Sequence, residues 1–237
     1  MSRPQRVTFP MVVLAAIIPF YLYLGSVVSH RELNTPEVEL DRLMALDAAW
    51  SVVYLSLFGA AILPVFVLHQ QELIRRTVFA FITAWLVAFA LFLAYPTVGP
   101  RVGTLPEAGF NAWVLKEIYA SDHRYNCFPS LHVAQCFLAA FAAWCVHRGV
   151  GAAAFLWAFL VGLSTVYTKQ HYVLDVAGGF VLAAVGYVVF LRPYPREAIP
   201  ENERLLAPLL AVCASAVYGL IVLALWGAYF IGGGKVY

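Results

Sequence analysis

The stretch Thr77-Val-Phe-Ala-Phe-Ile-Thr-Ala-Trp-Leu-Val-Ala-Phe-Ala-Leu-Phe-Leu-Ala-Tyr95 contains no Asp, Glu, Lys or Arg. As a helix it is long enough to cross the roughly 30 Å hydrocarbon layer of a bilayer. Comparable runs lie at 11–28, 50–68, 131–147, 152–167, 173–191 and 206–231, so seven spans are expected. Of the 237 residues 62% are apolar and 12% are charged, which belongs to the membrane class and not to a water-soluble core. The expected fold class is all-α, a polytopic membrane helical bundle.

A net charge of +2, with basic residues scattered over loops, argues against a nucleic-acid partner. Cys136, Cys145 and Cys213 lie inside apolar runs and read as small hydrophobes. Only Cys127 sits in a polar loop, so no disulfide or zinc framework is expected. The first run follows Arg3 and Arg6 as a signal peptide would, but it is long for a signal core and lacks a good cleavage pattern. It reads as a retained helix.

With the N-terminus inside, Arg3, Arg6, Arg75, Arg76, Arg148, Arg192, Arg196 and Arg204 fall on the cytoplasmic face. Arg31, Arg42, Arg101, Lys116, Arg124, Lys169 and Lys235 fall on the other, eight basic residues against seven. Setting Arg101 and Lys169 aside as site residues tips the balance towards a cytoplasmic N-terminus. Two loop stretches on the outer face read as amphipathic helices that anchor loops in the interface or gate a lipid. One begins at Thr35 and Pro36 with Leu40, Leu43 and Met44 on one side, and the other places Phe110, Trp113, Val114 and Ile118 together.

Ionisable residues are nearly absent from the interiors of the spans, so Arg101, His132, Lys169, His171 and Asp175, all at the outer ends of spans three to six, form a candidate cluster. His171 and Asp175 are four apart at the start of the sixth span and share one helix face. A carboxylate on one ring nitrogen fixes the tautomer and leaves the other nitrogen free to attack phosphorus. His132 follows Pro129 and Ser130 at a helix start, where main-chain amides favour an anion, and is placed to protonate a leaving alkoxide. Arg101 and Lys169 carry charge for phosphate oxygens.

Two motifs carry a resemblance. Pro129-Ser130-Leu131-His132 and Ser164-Thr-Val-Tyr-Thr-Lys169-Gln-His171-Tyr-Val-Leu-Asp175 resemble the second and third motifs of the type 2 phosphatidic acid phosphatase superfamily. The first motif, a lysine followed after six residues by Arg-Pro, is poorly matched by Tyr95-Pro-Thr-Val-Gly-Pro-Arg101, since Ala94 and Val102 stand at its ends. Thr165 replaces a usual arginine and Leu131 a usual glycine, departures similar to the inositol phosphorylceramide synthase branch. The resemblance implies a six-helix catalytic core over 1–191, with 192–237 a cytoplasmic loop and an added seventh span. It further implies an extracytoplasmic active site, no metal and no cofactor.

The expected activity is hydrolysis or transfer at a lipid phosphate ester or pyrophosphate through a phosphohistidine. The expected roles are His171 as nucleophile, His132 as general acid and base, and Asp175 as the residue that orients His171. Arg101, Ser130, Lys169 and Ser164 are expected to bind phosphate. Transfer of a phosphorylated headgroup to a lipid hydroxyl is the near alternative. A seven-span transporter or scramblase and a hydrolase with a metal on two His and one Asp are the rivals.

Overall fold

A computed structural model of the chain describes residues 19–105 and 109–232. The regular structure of these residues is helical: α1 (Pro19–Val28), α2 (Glu39–Leu43), α3 (Trp50–Leu55), α4 (Leu57–Val67), α5 (Gln71–Ala94), α6 (Phe110–Ser121), α7 (Leu131–Val146), α8 (Arg148–Tyr167), α9 (Val173–Gly186) and α10 (Glu201–Ile231). A π-helical turn, Tyr187–Leu191, continues α9, and Arg196–Ala198 forms a short 3-10 turn. Among the described residues extended pairing is limited to isolated bridges, Asn34 with Thr97 and Val98 with Tyr125.

Among the described residues five segments are long and apolar enough to cross a membrane: Trp50–Val67, Gln71–Ala94, Arg148–Tyr167, Val173–Leu191 and Glu201–Ile231. Shorter apolar helices, Pro19–Val28 and Leu131–Val146, stand at the first and fourth expected spans. The order of seven apolar elements is as expected, whereas a count of six full spans plus one is not reached among the described residues. Residues 11–18 of the first expected span lie outside them. The architecture is that of an integral membrane protein.

Three helices start earlier than their apolar runs, because local partners satisfy the polar residues that precede them. In α5, Glu72 pairs with Arg75 and Arg76, both at 2.7 Å, so a charged turn precedes the apolar one. Before α8, His147 Nδ1 accepts the Val150 amide at 3.1 Å, capping that helix one residue after α7 ends. In α10, Glu201 and Glu203 occupy the first turn, where the helix dipole favours acids, and Gln70 donates to Glu203 at 2.9 Å.

The centre of the bundle is α7, which packs against α4, α5, α8 and α9. Its Ala139, Ala140, Ala142 and Ala143 are buried, and α8 presents Ala154 and Ala158. In lipid, small side chains of this kind let backbones approach and maximise dispersion contact. A 16-residue helix rises only about 24 Å, which suffices for one enclosed on its sides by other helices.

The starts of α7 and α9 approach closely at Gly179. A Cβ at Gly179 would stand 2.4 Å from the Ser130 carbonyl oxygen and 3.0 Å from Val133 Cβ. Gly179→Ala is therefore expected to force the two helix starts apart, at about 1–3 kcal/mol of stability. A lower unfolding temperature in detergent checks this, and an unchanged one contradicts it.

The amphipathic stretch at 110–118 is α6, whose Val114 and Ile118 are buried. It packs on α3 and α10, with the Phe110 ring stacked 4.5 Å from that of Trp226. The stretch after Thr35 forms only the five-residue α2 and leaves Leu40 and Leu43 exposed.

Candidate active site

At one end of the bundle, the end of α5, the start of α7, the end of α8 and the start of α9 come together. The Tyr172 main chain begins α9, and Asp175 in its first turn accepts the Tyr172 amide at 2.9 Å through Oδ2. The same oxygen lies 3.3 Å from His171 Nδ1, the i,i+4 contact expected from spacing. His171 Nε2 faces His132 Nδ1 at 3.0 Å, and His132 Nε2 meets the Tyr54 hydroxyl at 3.2 Å. The Ser130 amide donates to the Asp175 carbonyl at 2.9 Å, which ties the His132 helix to the Asp175 helix.

The direction of this chain of hydrogen bonds follows from its end. A carboxylate only accepts, so His171 carries its proton on Nδ1 and has its lone pair at Nε2, turned to His132. His132 then donates from Nδ1. Both imidazoles are thereby oriented by one buried carboxylate, whose Oδ1 has no hydrogen-bond partner among the described residues.

Arg101, half of the expected cationic pair, is held beside this centre. Its Nε donates to Gln170 Oε1 at 3.1 Å, its Nη1 to the Tyr119 and Asp122 carbonyls at 3.0 and 2.9 Å, and its Nη2 to His123 O at 3.2 Å. The guanidinium carbon lies 4.8 Å from the centre of the Tyr119 ring. Burial pushes the Tyr119 phenol up to about 12, against the opposing pull of Arg101, so it stays protonated and donates to Thr168 O at 2.8 Å.

Lys169 points elsewhere. Its backbone is left-handed, with φ 55°, and its ammonium donates to the Asp41 and Met44 carbonyls at 3.2 and 2.5 Å. Arg101 and Lys169 both line a polar cavity of about 470 Å³ together with Glu37, Asp41, Arg124 and Tyr172. The Ser130 hydroxyl is buried and accepts the Val133 amide at 3.4 Å as the cap of α7. Ser164 is also buried, and its hydroxyl donates to Val161 O at 2.6 Å within α8.

Four contributors escaped the reading of the sequence. Tyr54 was one aromatic ring in an apolar run, Gln170 a neutral residue between two notable ones, and Asp122 one loop acid among several. Asp41 accepts both the Val38 and Val173 amides at 2.8 Å, fastening α2 to the first turn of α9. The only available signal for Gln170 and Asp122 was their nearness in sequence to His171 and to α6.

Among the described residues, the metal-ligand atoms that gather within 4.8 Å belong to Cys127, His171 and Asp175, a different set from two His and one Asp. Burial, with Asp175 and Asp122 adding to it, holds the Cys127 thiol well above its ordinary range. Since the thiolate is the reactive form, Cys127 is expected to resist a water-soluble maleimide at neutral pH until the protein unfolds. Peptide mass spectrometry locates the label, and modification of native Cys127 contradicts its burial.

Residues 38–189 match the PAP2 superfamily. The chain belongs to that superfamily, and the matched segment runs from just before α2 to within the π-helical turn. It is also similar to a PA-phosphatase related-family protein of Dictyostelium discoideum, at 26% identity over 143 residues. That match covers 56% of this chain and 25% of the relative, so the chain corresponds to about a quarter of the relative's length. No solved structure matches the chain.

Proposed function

We propose that this protein is a metal-independent lipid phosphate phosphatase or phosphotransferase working through a phosphohistidine. The observation that carries the reading is the pair of contacts on His171, Asp175 at Nδ1 and His132 at Nε2. Membership of the PAP2 superfamily supports phosphatase-type chemistry.

In the first half-reaction the His171 Nε2 lone pair forms a bond to phosphorus. The bond from phosphorus to the leaving oxygen breaks, and that oxygen takes the bonding pair and a proton from His132. In the second, water or a lipid alcohol attacks phosphorus, its proton passes to His132, and the nitrogen–phosphorus electrons return to His171. Asp175 stabilises the charge that His171 acquires. Arg101, beside the site, supplies positive charge for the phosphate oxygens, and Lys169, Ser130 and Ser164 join it only by leaving their partners at Asp41 and Met44, Val133 and Val161. The site faces away from the cytoplasm, with the N-terminus inside.

Water as acceptor makes the enzyme a phosphatase of a lipid monophosphate or pyrophosphate. Headgroup transfer to a lipid alcohol is the second reading, favoured by Leu131, Thr165 and the Lys169-Gln170-His171 run. Detergent-purified protein incubated with lipid phosphates and pyrophosphates in chelator is expected to release phosphate, and the His171→Ala chain is not. Activity lost to the chelator contradicts the metal-free mechanism. No release from any substrate, with a new phospholipid formed when a lipid alcohol is supplied, favours transfer.

A further inference from the structure

His132 must do two opposite things at one atom. Its Nδ1 meets His171 Nε2 at 3.0 Å. When a phosphoryl group parts the two rings, the leaving oxygen, in line with Nε2, lies on the His132 side, so in the phosphoryl-transfer reading Nδ1 gives it a proton and later takes one from the incoming hydroxyl. Giving that proton without becoming an anion requires a second proton on Nε2. Nε2 therefore needs an acceptor that tolerates, and favours, a positively charged ring.

The fold places two such groups there. Tyr54 Oη lies 3.2 Å from His132 Nε2, and Asp122 Oδ2 lies 3.8 Å from it, beyond hydrogen-bond length and within ion-pair range. Asp122 is itself held from behind. Its Oδ1 accepts the Tyr21 hydroxyl at 3.1 Å and the His123 amide at 2.8 Å, which leaves Oδ2 turned to His132 and, at 4.0 Å, to Arg101. The groups facing His132 are thus Tyr54 from α3, Asp122 after α6, His171 before α9 and, through Asp122, Arg101 after α5.

We infer that Asp122 and Tyr54 are positioning residues for the proton transfers of His132, the counterpart of Asp175 behind His171. This rests on the phosphoryl-transfer reading above. With Nε2–H directed at Tyr54 and Asp122, the imidazolium gives up its Nδ1 proton and becomes the neutral Nε2–H tautomer. That tautomer has its lone pair at Nδ1, ready to accept a proton from water or alcohol in the second half-reaction. One arrangement serves as acid and then as base without the ring turning over.

The test exploits leaving groups. Dodecyl phosphate releases an alkoxide that must be protonated, whereas 4-nitrophenyl phosphate releases a phenolate that leaves unaided. Asp122→Asn and Tyr54→Phe are each compared with wild type on both substrates by alcohol or nitrophenol release. A group that supports general-acid catalysis is expected to matter roughly 10²-fold on the alkyl ester and only a few-fold on the aryl ester. Asp122→Glu is expected to recover part of the alkyl activity. Equal losses on both esters in both variants, with unfolding temperatures like wild type, overturn the inference and make these residues structural. Wild-type protein that turns over neither ester and forms no new phospholipid when a lipid alcohol is supplied removes the phosphoryl-transfer reading, and this inference with it.

Discussion

Turnover of a lipid phosphate by the His171→Ala chain is expected to fall roughly 10⁴-fold, because the substitution deletes the atom proposed to bond phosphorus. His171 is buried, with Nδ1 on Asp175 and Nε2 on His132, so alanine breaks the chain of hydrogen bonds in its middle. Asp175 keeps the Tyr172 amide but loses its other partner. Leaving a buried carboxylate so exposed to its apolar surroundings is expected to cost about 1–3 kcal/mol of stability. Phosphate release and thermal unfolding, measured on the same preparation, separate the two effects. A variant with normal unfolding and near-normal turnover contradicts the nucleophile assignment.

Asp175→Asn is expected to lower kcat roughly 10³-fold while changing KM little, by the logic that makes the triad carboxylate of serine proteases matter. The amide is nearly isosteric and its oxygen can still accept the Tyr172 amide. It brings no charge to stabilise His171 as phosphorus is bonded, and in the opposite orientation its NH2 group replaces the one oxygen that the Tyr172 amide and His171 share, enforcing the wrong imidazole tautomer. Because Asp175 is fully buried behind His171, the substitution does not touch the phosphate oxygens directly. A rise in KM with kcat intact would mean that Asp175 shapes the binding pocket and not the nucleophile.

Much of the fold could be read from apolar run length, since an apolar run of about 20 residues satisfies its own backbone polar groups inside a bilayer by forming a helix. What run length misses is the local pairing that lets a helix extend past its apolar part, as Glu72 does with Arg75 and Arg76. It also passes over the break between α3 and α4, where the Ser56 hydroxyl donates to Val53 O at 2.6 Å and accepts Trp157 Nε1 at 2.8 Å. At the site, the contact of His171 with Asp175 follows from one helical turn and was legible. The meeting of His132 with His171 depends on the approach of α7 and α9 at Gly179, which no local pattern encodes. The turn of Lys169 towards α2 depends on a left-handed backbone at a residue that rarely adopts one. Tyr54 and Asp122 were illegible for a similar reason, since each gains meaning only from what lies across the bundle.

The most direct test is to trap the covalent intermediate. Protein mixed with a lipid phosphate labelled at phosphorus is quenched in alkali, where a phosphoramidate survives, digested and mapped by mass spectrometry. Label is expected on His171, lost in mild acid and absent from His171→Ala. Steady turnover with label on another residue, or with none on the protein at any time, would contradict the phosphohistidine mechanism.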